Sequence, residues 1–254
     1  MSKAMNRRSW MKTALVASGL TATGGVATLL AKRYGLIPPD SAGLYGLGET
    51  LTYATQRVLL ARPTLAREFN RSQISKNFPG FGTVMPQYES YFLSMVSGFA
   101  NWRLPVVGLV ARPALLSLSE LKRLPSRTQV TEHICEEGWS AIGEWTGVQL
   151  SYVLNAAGVR SEAKYVVFLC GDGHWGSIDM EDAWHPQTLL AYAMNGEDLP
   201  VPHGAPVRLR VERQLGYKSL KYIARIVVTD TLKGIGKGMG GSDPEAGYSW
   251  YAGI

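Results

Sequence analysis

Between residues 117 and 229 helix-like and strand-like stretches follow one another with no repeating strand-helix-strand unit, and that irregular order restricts the chain more than any other feature. A regular alternation would build a parallel sheet. Its absence points to an α+β domain with a mixed, mainly antiparallel sheet. Ser117 and Glu120 stand at capping-box spacing and predict a short helix that Pro125 ends. Residues 149 to 157 put Leu150, Val153, Leu154 and Ala157 on one helical face and stop at Gly158. Tyr165 to Leu169 reads as a buried strand, and Pro186 as the opening of a helix that runs through Leu189, Leu190 and Tyr192 and closes at Asn195-Gly196. Past Pro206, Val207, Leu209 and Val211 alternate with Arg208, Arg210 and Glu212, which predicts a strand with one wet face; Tyr222 to Thr229 predicts another strand. The run Gly234 to Gly241 lacks the Lys-Ser/Thr ending of a P-loop and reads as a flexible loop.

Charge separates the chain into two parts. Residues 1 to 33 carry Lys3, Arg7, Arg8, Lys12, Lys32 and Arg33 and no acid, so the formal +6 of the whole chain resides there and residues 34 to 254 are neutral overall. A generally basic nucleic-acid binder is thereby disfavoured. The paired Arg7-Arg8, followed by Trp10 and Lys12, precede Thr13 to Ala31, an uncharged stretch rich in Ala, Gly and Thr. That resembles a twin-arginine export signal, cleaved or kept as a signal-anchor; an ordinary membrane anchor is the alternative. Either way residues 34 to 254 are expected as a single domain in the periplasm, and twin-arginine export of a folded chain suits a cofactor inserted before export.

Two constellations could carry chemistry. Cys135 lies where a strand-like stretch runs into the polar turn Glu136-Glu137-Gly138, with His133 two residues earlier on the same face of a strand. Its sulfur could be a soft metal donor, a buried core atom, or half of a Cys135-Cys170 disulfide. The second is basic: Arg208, Arg210, Arg213, Lys218, Lys221 and Arg225 are opposed only by Glu212, a net +5 in a neutral body. Either an anionic ligand, such as a phosphate held at the turn Gly216 to Lys221, offsets that charge, or the face is solvated. Trp139, Tyr248, Trp250 and Tyr251 are aromatic candidates for a pocket wall or for the core.

Taken in order, Cys135-Glu136-Glu137-Gly138-Trp139, Trp145-Thr146-Gly147-Val148, Tyr165 to Phe168, Asn195-Gly196, Leu199-Pro200, His203-Gly204-Ala205-Pro206-Val207-Arg208-Leu209 and Gly216 to Lys221 resemble the molybdopterin-binding domain of the sulfite oxidase family. The resemblance spans roughly Phe69 to Val228. It implies a cofactor of molybdenum and molybdopterin. Cys135 corresponds to the metal's protein ligand and catalytic cysteine, His203 and Arg208 to pterin contacts, and Ser219, Leu220 and Lys221 to the phosphate-holding turn. Cys170 falls where the family has a residue close to the cofactor. Lys76, Asn77 and Phe78, ahead of Pro79-Gly80-Phe81-Gly82, resemble the loop that brackets the pterin.

Eukaryotic sulfite oxidases follow the cysteine with a Gly-Asn-Arg type segment whose arginine helps hold sulfite; Glu136-Glu137-Gly138-Trp139 looks more like the periplasmic bacterial branch that includes methionine sulfoxide reductase catalytic subunits. The implied reaction is two-electron oxygen-atom transfer, reducing an S-oxide or N-oxide. With no Cys-x-x-Cys-His haem site in the sequence given, electrons are expected from a separate redox protein, a membrane haem protein being one candidate. Two other readings stand beside this one: a sulfite dehydrogenase on the same scaffold, and a cofactor-free exported binding module closed by a Cys135-Cys170 disulfide.

Overall fold

The strand-forming segments of this chain collect into two sheets. The computed structural model describes residues 52–53, 55–57 and 64–254. The chain divides into two units, residues 1–61 and 62–254, and the segment read as an export signal lies outside the described residues. Within the second unit the elements run α1 (Glu89–Val96), β1 (Arg103–Gly108), β2 (Ala114–Ser117), α2 (Leu118–Arg123), β3 (Ser126–Ile134), β4 (Ser140–Gln149), α3 (Leu150–Ala157), β5 (Tyr165–Cys170), β6 (Trp175–Asp179), α4 (Met180–Trp184), β7 (Leu189–Met194), β8 (Glu197–Asp198), β9 (Arg208–Arg210), β10 (Ile223–Thr229) and α5 (Ser242–Glu245).

The first sheet has the order β2-β1-β10-β5-β6, and the second has β3-β4-β7-β8 with β9 also paired to β7. Every pairing is antiparallel except β1 with β10, so the α+β expectation holds. The principal core cluster draws on both sheets: Val166, Phe168, Ile226 and Val228 from the first, Val148, Leu190 and Leu209 from the second, and Leu150, Val153, Leu154 and Ala157 from the apolar face of α3. The helix signals at 117–123 and 149–158 act as predicted. Ser117 and Glu120 form the capping box of α2, and Gly158 ends α3 in the left-handed region at φ 68.

Two expectations are corrected. The residues after Pro186 form β7 and not a helix: Leu189, Leu190 and Ala191 are wholly buried between partners on both sides, and a central strand buried on two faces shows no alternation to betray it. Asn195 and Gly196, at φ 53 and 86, are the two central residues of a tight β7–β8 hairpin, where both must take positive φ. The supposed wet face of β9 is dry, with Arg208 4%, Arg210 1% and Glu212 5% exposed. Arg210 donates to both carboxylate oxygens of Glu212, at 2.9 and 2.7 Å, and to His133 Nδ1 at 2.8 Å. Gln129 Nε2 donates to Glu212 at 3.0 Å. A buried cation is tolerable only when paired in this way. No described helix is long and apolar enough to cross a membrane.

Candidate active site

β3 delivers Cys135 to the site. The strand ends at Ile134, and the next residues turn back on themselves: Cys135 N donates to Trp139 O at 2.9 Å and Gly138 N to Cys135 O at 3.1 Å, with Gly138 at φ 86. The thiol therefore sits at the rim of a sheet, one face toward a cleft of about 230 Å³. Both cysteines are free thiols, which removes the disulfide on which the binding-module reading depended. Among the described residues no three His, Cys, Asp or Glu side chains group as a metal cage.

Seven of the ten residues singled out from sequence line this cleft: Phe78, Cys135, His203, Arg208, Ser219, Leu220 and Lys221. Three do not. Lys76 and Asn77 are exposed, because the chain just before them is pinned to the edge of β4, with Ser75 N donating to Ile142 O at 3.0 Å and Ile142 N to Ser75 Oγ at 2.9 Å. From there only Phe78 turns inward, its ring against His203, Trp145 and His133 at 5.4, 5.5 and 5.6 Å. Cys170, at the end of β5, belongs to the core cluster; burial raises its thiol well above the ordinary range.

The cationic wall comes from the stretch after Pro206. Arg208 donates to His203 O at 3.0 Å and Ser219 O at 2.8 Å, while its Nε is buried with no partner. Its guanidinium lies 4.9 Å over the ring of Trp145, and Arg210 lies 4.4 Å from the same ring. Lys221 Nζ donates to Phe81 O at 2.6 Å, to Pro202 O at 3.1 Å and to Thr83 O, strapping residues 78–83 across the cleft. The rest of the basic stretch has other work: Lys218 donates to Ser177 O and Trp250 O, both at 2.7 Å, Arg213 faces Glu181 at 3.8 Å, and Arg225 is exposed. Gly216 is required by space, since a Cβ there would meet His133 Nε2 at 2.5 Å. Of the aromatic candidates only Trp139 lines the cleft; Trp250 and Tyr251 are core residues.

Electrostatically the cations of this wall depress one another. Burial, with Arg210 next, lowers the Arg208 guanidinium to about 9. Burial and then Arg208 lower Lys221 to about 8 and His203 to about 4. His133 falls to about 2 through burial and the charge of Arg210, so it stays neutral and accepts from Arg210 at Nδ1. Cations this crowded and desolvated gain most from a multiply charged anion with several acceptor oxygens. Burial also raises the Cys135 thiol, helped by Glu136, whose Oε2 accepts from Sγ at 3.6 Å. Sequence reasoning missed Asp172, His174 and Asp243, which also line the cleft.

Residues 93–234 match the model of a protein family described as the oxidoreductase molybdopterin binding domain. Over 154 residues the chain is 45% identical to YedZ1 of Azospira oryzae, whose name assigns it as a subunit of a protein-methionine-sulfoxide reductase; the match covers 61% of this chain and 56% of that protein. It is 37% identical over 168 residues to the protein-methionine-sulfoxide reductase catalytic subunit MsrP of Xanthomonas axonopodis, covering 59% and 51%. The chain thus spans about half the length of these relatives. Among solved structures, the sulfane dehydrogenase SoxCD of Paracoccus pantotrophus is similar with a TM-score of 0.50 and 28% identity, over 52% of this chain and 39% of that one.

Proposed function

The chain belongs to the oxidoreductase molybdopterin-binding domain family, and from that premise we propose that it reduces an S-oxide or N-oxide in an exported compartment. Membership makes it an oxidoreductase of the sulfite oxidase type whose cofactor is molybdenum-molybdopterin. One observation carries the proposal. A single thiol, Cys135, shares a cleft with a cationic wall in which Arg208 Nε is buried and unpartnered.

That donor set fits the cofactor, because a thiolate-held metal on a phosphate-bearing chelate needs one soft sulfur and a nest of cations. In this reading Cys135 ligates the metal, and since burial keeps its thiol protonated beforehand, loading releases a proton. Arg208 and Lys221 hold the phosphate with the backbone of Ser219 and Leu220; His203 and Phe78 flank the ring system. Bound there, the cofactor supplies two-electron oxygen-atom transfer, while the protein supplies position and field.

Glu136 favours an oxide over sulfite. Its carboxylate lies beside Cys135 and would repel a sulfite dianion at that position while tolerating a neutral oxide. The names of the two reductase relatives point the same way. Electrons reach the site singly from a separate redox protein, a membrane haem protein being the partner this reading favours.

Metal analysis with steady-state assays tests the proposal. Purified protein is expected to hold about one molybdenum per chain, Cys135→Ser almost none, and reduced-dye assays to show turnover of methionine sulfoxide or dimethyl sulfoxide. Fast sulfite oxidation with negligible oxide reduction would replace the reductase by a sulfite dehydrogenase.

A further inference from the structure

The glycine run at 234–241 finds no place in the cofactor-holding machinery, yet it is closely docked. Gly241 bridges Gly176 of β6, Trp175 N donates to Ser242 Oγ at 3.1 Å, Ser177 Oγ donates to Gly240 O, and Trp250 Nε1 donates to Ser177 Oγ at 2.9 Å. Two of its glycines have no room for a side chain and take positive φ. A Cβ at Gly240 (φ 90) would stand 2.3 Å from Trp250, and one at Gly236 (φ 53) 2.2 Å from Glu245 and 2.6 Å from Trp175. The loop expected from composition is therefore a tether docked against Trp175 and Trp250. It leads directly into α5, whose Asp243 reaches the cleft.

There Asp243 Oδ2 meets His174 Nε2 at 2.9 Å, with the two side chains 22% and 37% exposed. His174 lies in the tight turn between β5 and β6, and its backbone N donates to Asp172 Oδ1 at 3.1 Å. Imidazole and both carboxylates line the same cleft as Cys135. With Nε2 engaged by Asp243, Nδ1 is the ring nitrogen that can give a proton to something in the cleft.

We propose that His174, oriented by Asp243, is the proton donor to the oxygen of the bound substrate. This rests on the reductase reading, whose chemistry supplies the need. Reducing R2S=O to R2S breaks the sulfur-oxygen bond, reduces sulfur by the two electrons the loaded cofactor provides, takes up two protons and releases water. His174 gives one of those protons and reloads from solvent at its exposed edge; the second comes from solvent. Negative charge builds on the oxide oxygen as the sulfur-oxygen bond breaks, so a positioned acid that offsets it raises the rate.

The surroundings suit a donor that works near neutrality. Burial alone would lower the His174 pKa, but the hydrogen bond and charge of Asp243 outweigh it, with Asp172 adding and Lys221 opposing; the net direction is upward. The other charged or titratable groups on the cleft wall are Glu136, Arg208, His133, Cys135, His203 and Tyr217. As the imidazolium is the active form, kcat falls as pH rises through the His174 pKa. Removing the Asp243 charge moves that fall to lower pH.

The test uses the molybdenum-loaded enzyme with methionine sulfoxide and a reduced dye. His174→Gln is expected to lower kcat at pH 7 by about 10²-fold with molybdenum content unchanged, and Asp243→Asn to shift the alkaline limb of the kcat profile to lower pH. Histidine ring titration by NMR in the oxidised holoenzyme reads the same pair without turnover, the His174 signal being identified by its loss in His174→Gln. A titration above the ordinary 6.5 that drops in Asp243→Asn supports the donor; one at or below that value overturns it. Wild-type kcat and profile in His174→Gln also overturn it. An inactive but fully loaded wild type refutes the oxide-reductase reading instead, and the titration then decides the acid alone.

Discussion

Arg208 and Arg210 stand two residues apart on β9 and present their guanidinium groups to the same indole, yet only Arg210 is neutralised within the protein. Arg210 is structural: removing Glu212 would leave a buried charge unpaired, which costs several kcal/mol. Arg208 has two carbonyls and an orphaned Nε, so its charge awaits a ligand. Arg208→Ala and Lys221→Ala are accordingly expected to cut molybdenum content severalfold while shifting the urea midpoint little. Wild-type content in both variants would remove these residues from the cofactor's grip. The sequence made Cys135, His203, Arg208 and Lys221 legible because each lies in a short ordered motif. His174 and Asp243 were illegible because 69 positions separate them and only the docked glycine tether brings them together. Lys76 and Asn77 stay outside the cleft for a local reason, since the strap enters it at Phe78, two residues after the motif begins.

At the level of elements, Asn195-Gly196 shows how one dipeptide serves two ends. Positive φ suits the close of a helix and the tip of a tight hairpin equally, so the dipeptide could not identify what preceded it. The buried run Leu189-Leu190-Ala191 has no period of two because both of its faces are covered. The same pairing explains Gly147 on β4, whose Cβ would stand 2.2 Å from Leu190 O and 2.5 Å from Ala191 Cα. Backbone cannot yield as a side chain can. Gly147→Ala is therefore expected to destabilise the fold by about 3 kcal/mol or more, read as a lowered urea midpoint with unchanged slope. A midpoint within error of wild type would mean that β4 and β7 can separate locally.

On the scale of the whole molecule, the basic segment 1–33, which we propose as an export signal, and the neutral body answer to different demands. We propose a twin-arginine route for this chain, which suits a cofactor loaded before export. Arg7→Lys with Arg8→Lys is expected to leave loaded, active enzyme in the cytoplasmic fraction; undiminished export would point to an ordinary secretory signal or anchor. The family match covers 93–234, whereas Phe78 of the strap and Asp243 of α5 lie on either side of it. The chain beyond the shared segment thus furnishes part of the cleft wall, and specificity among relatives is expected to differ most there.

Trp145 is wholly buried, and both guanidinium groups bear on its ring. An indole's emission responds to nearby charge, and pairing Arg208 with an incoming anion would alter the field on one side while Glu212 keeps the other constant. The protein thereby contains its own optical gauge of filling: the difference spectrum between empty and loaded forms should lose its largest component when this one fluorophore is replaced by phenylalanine.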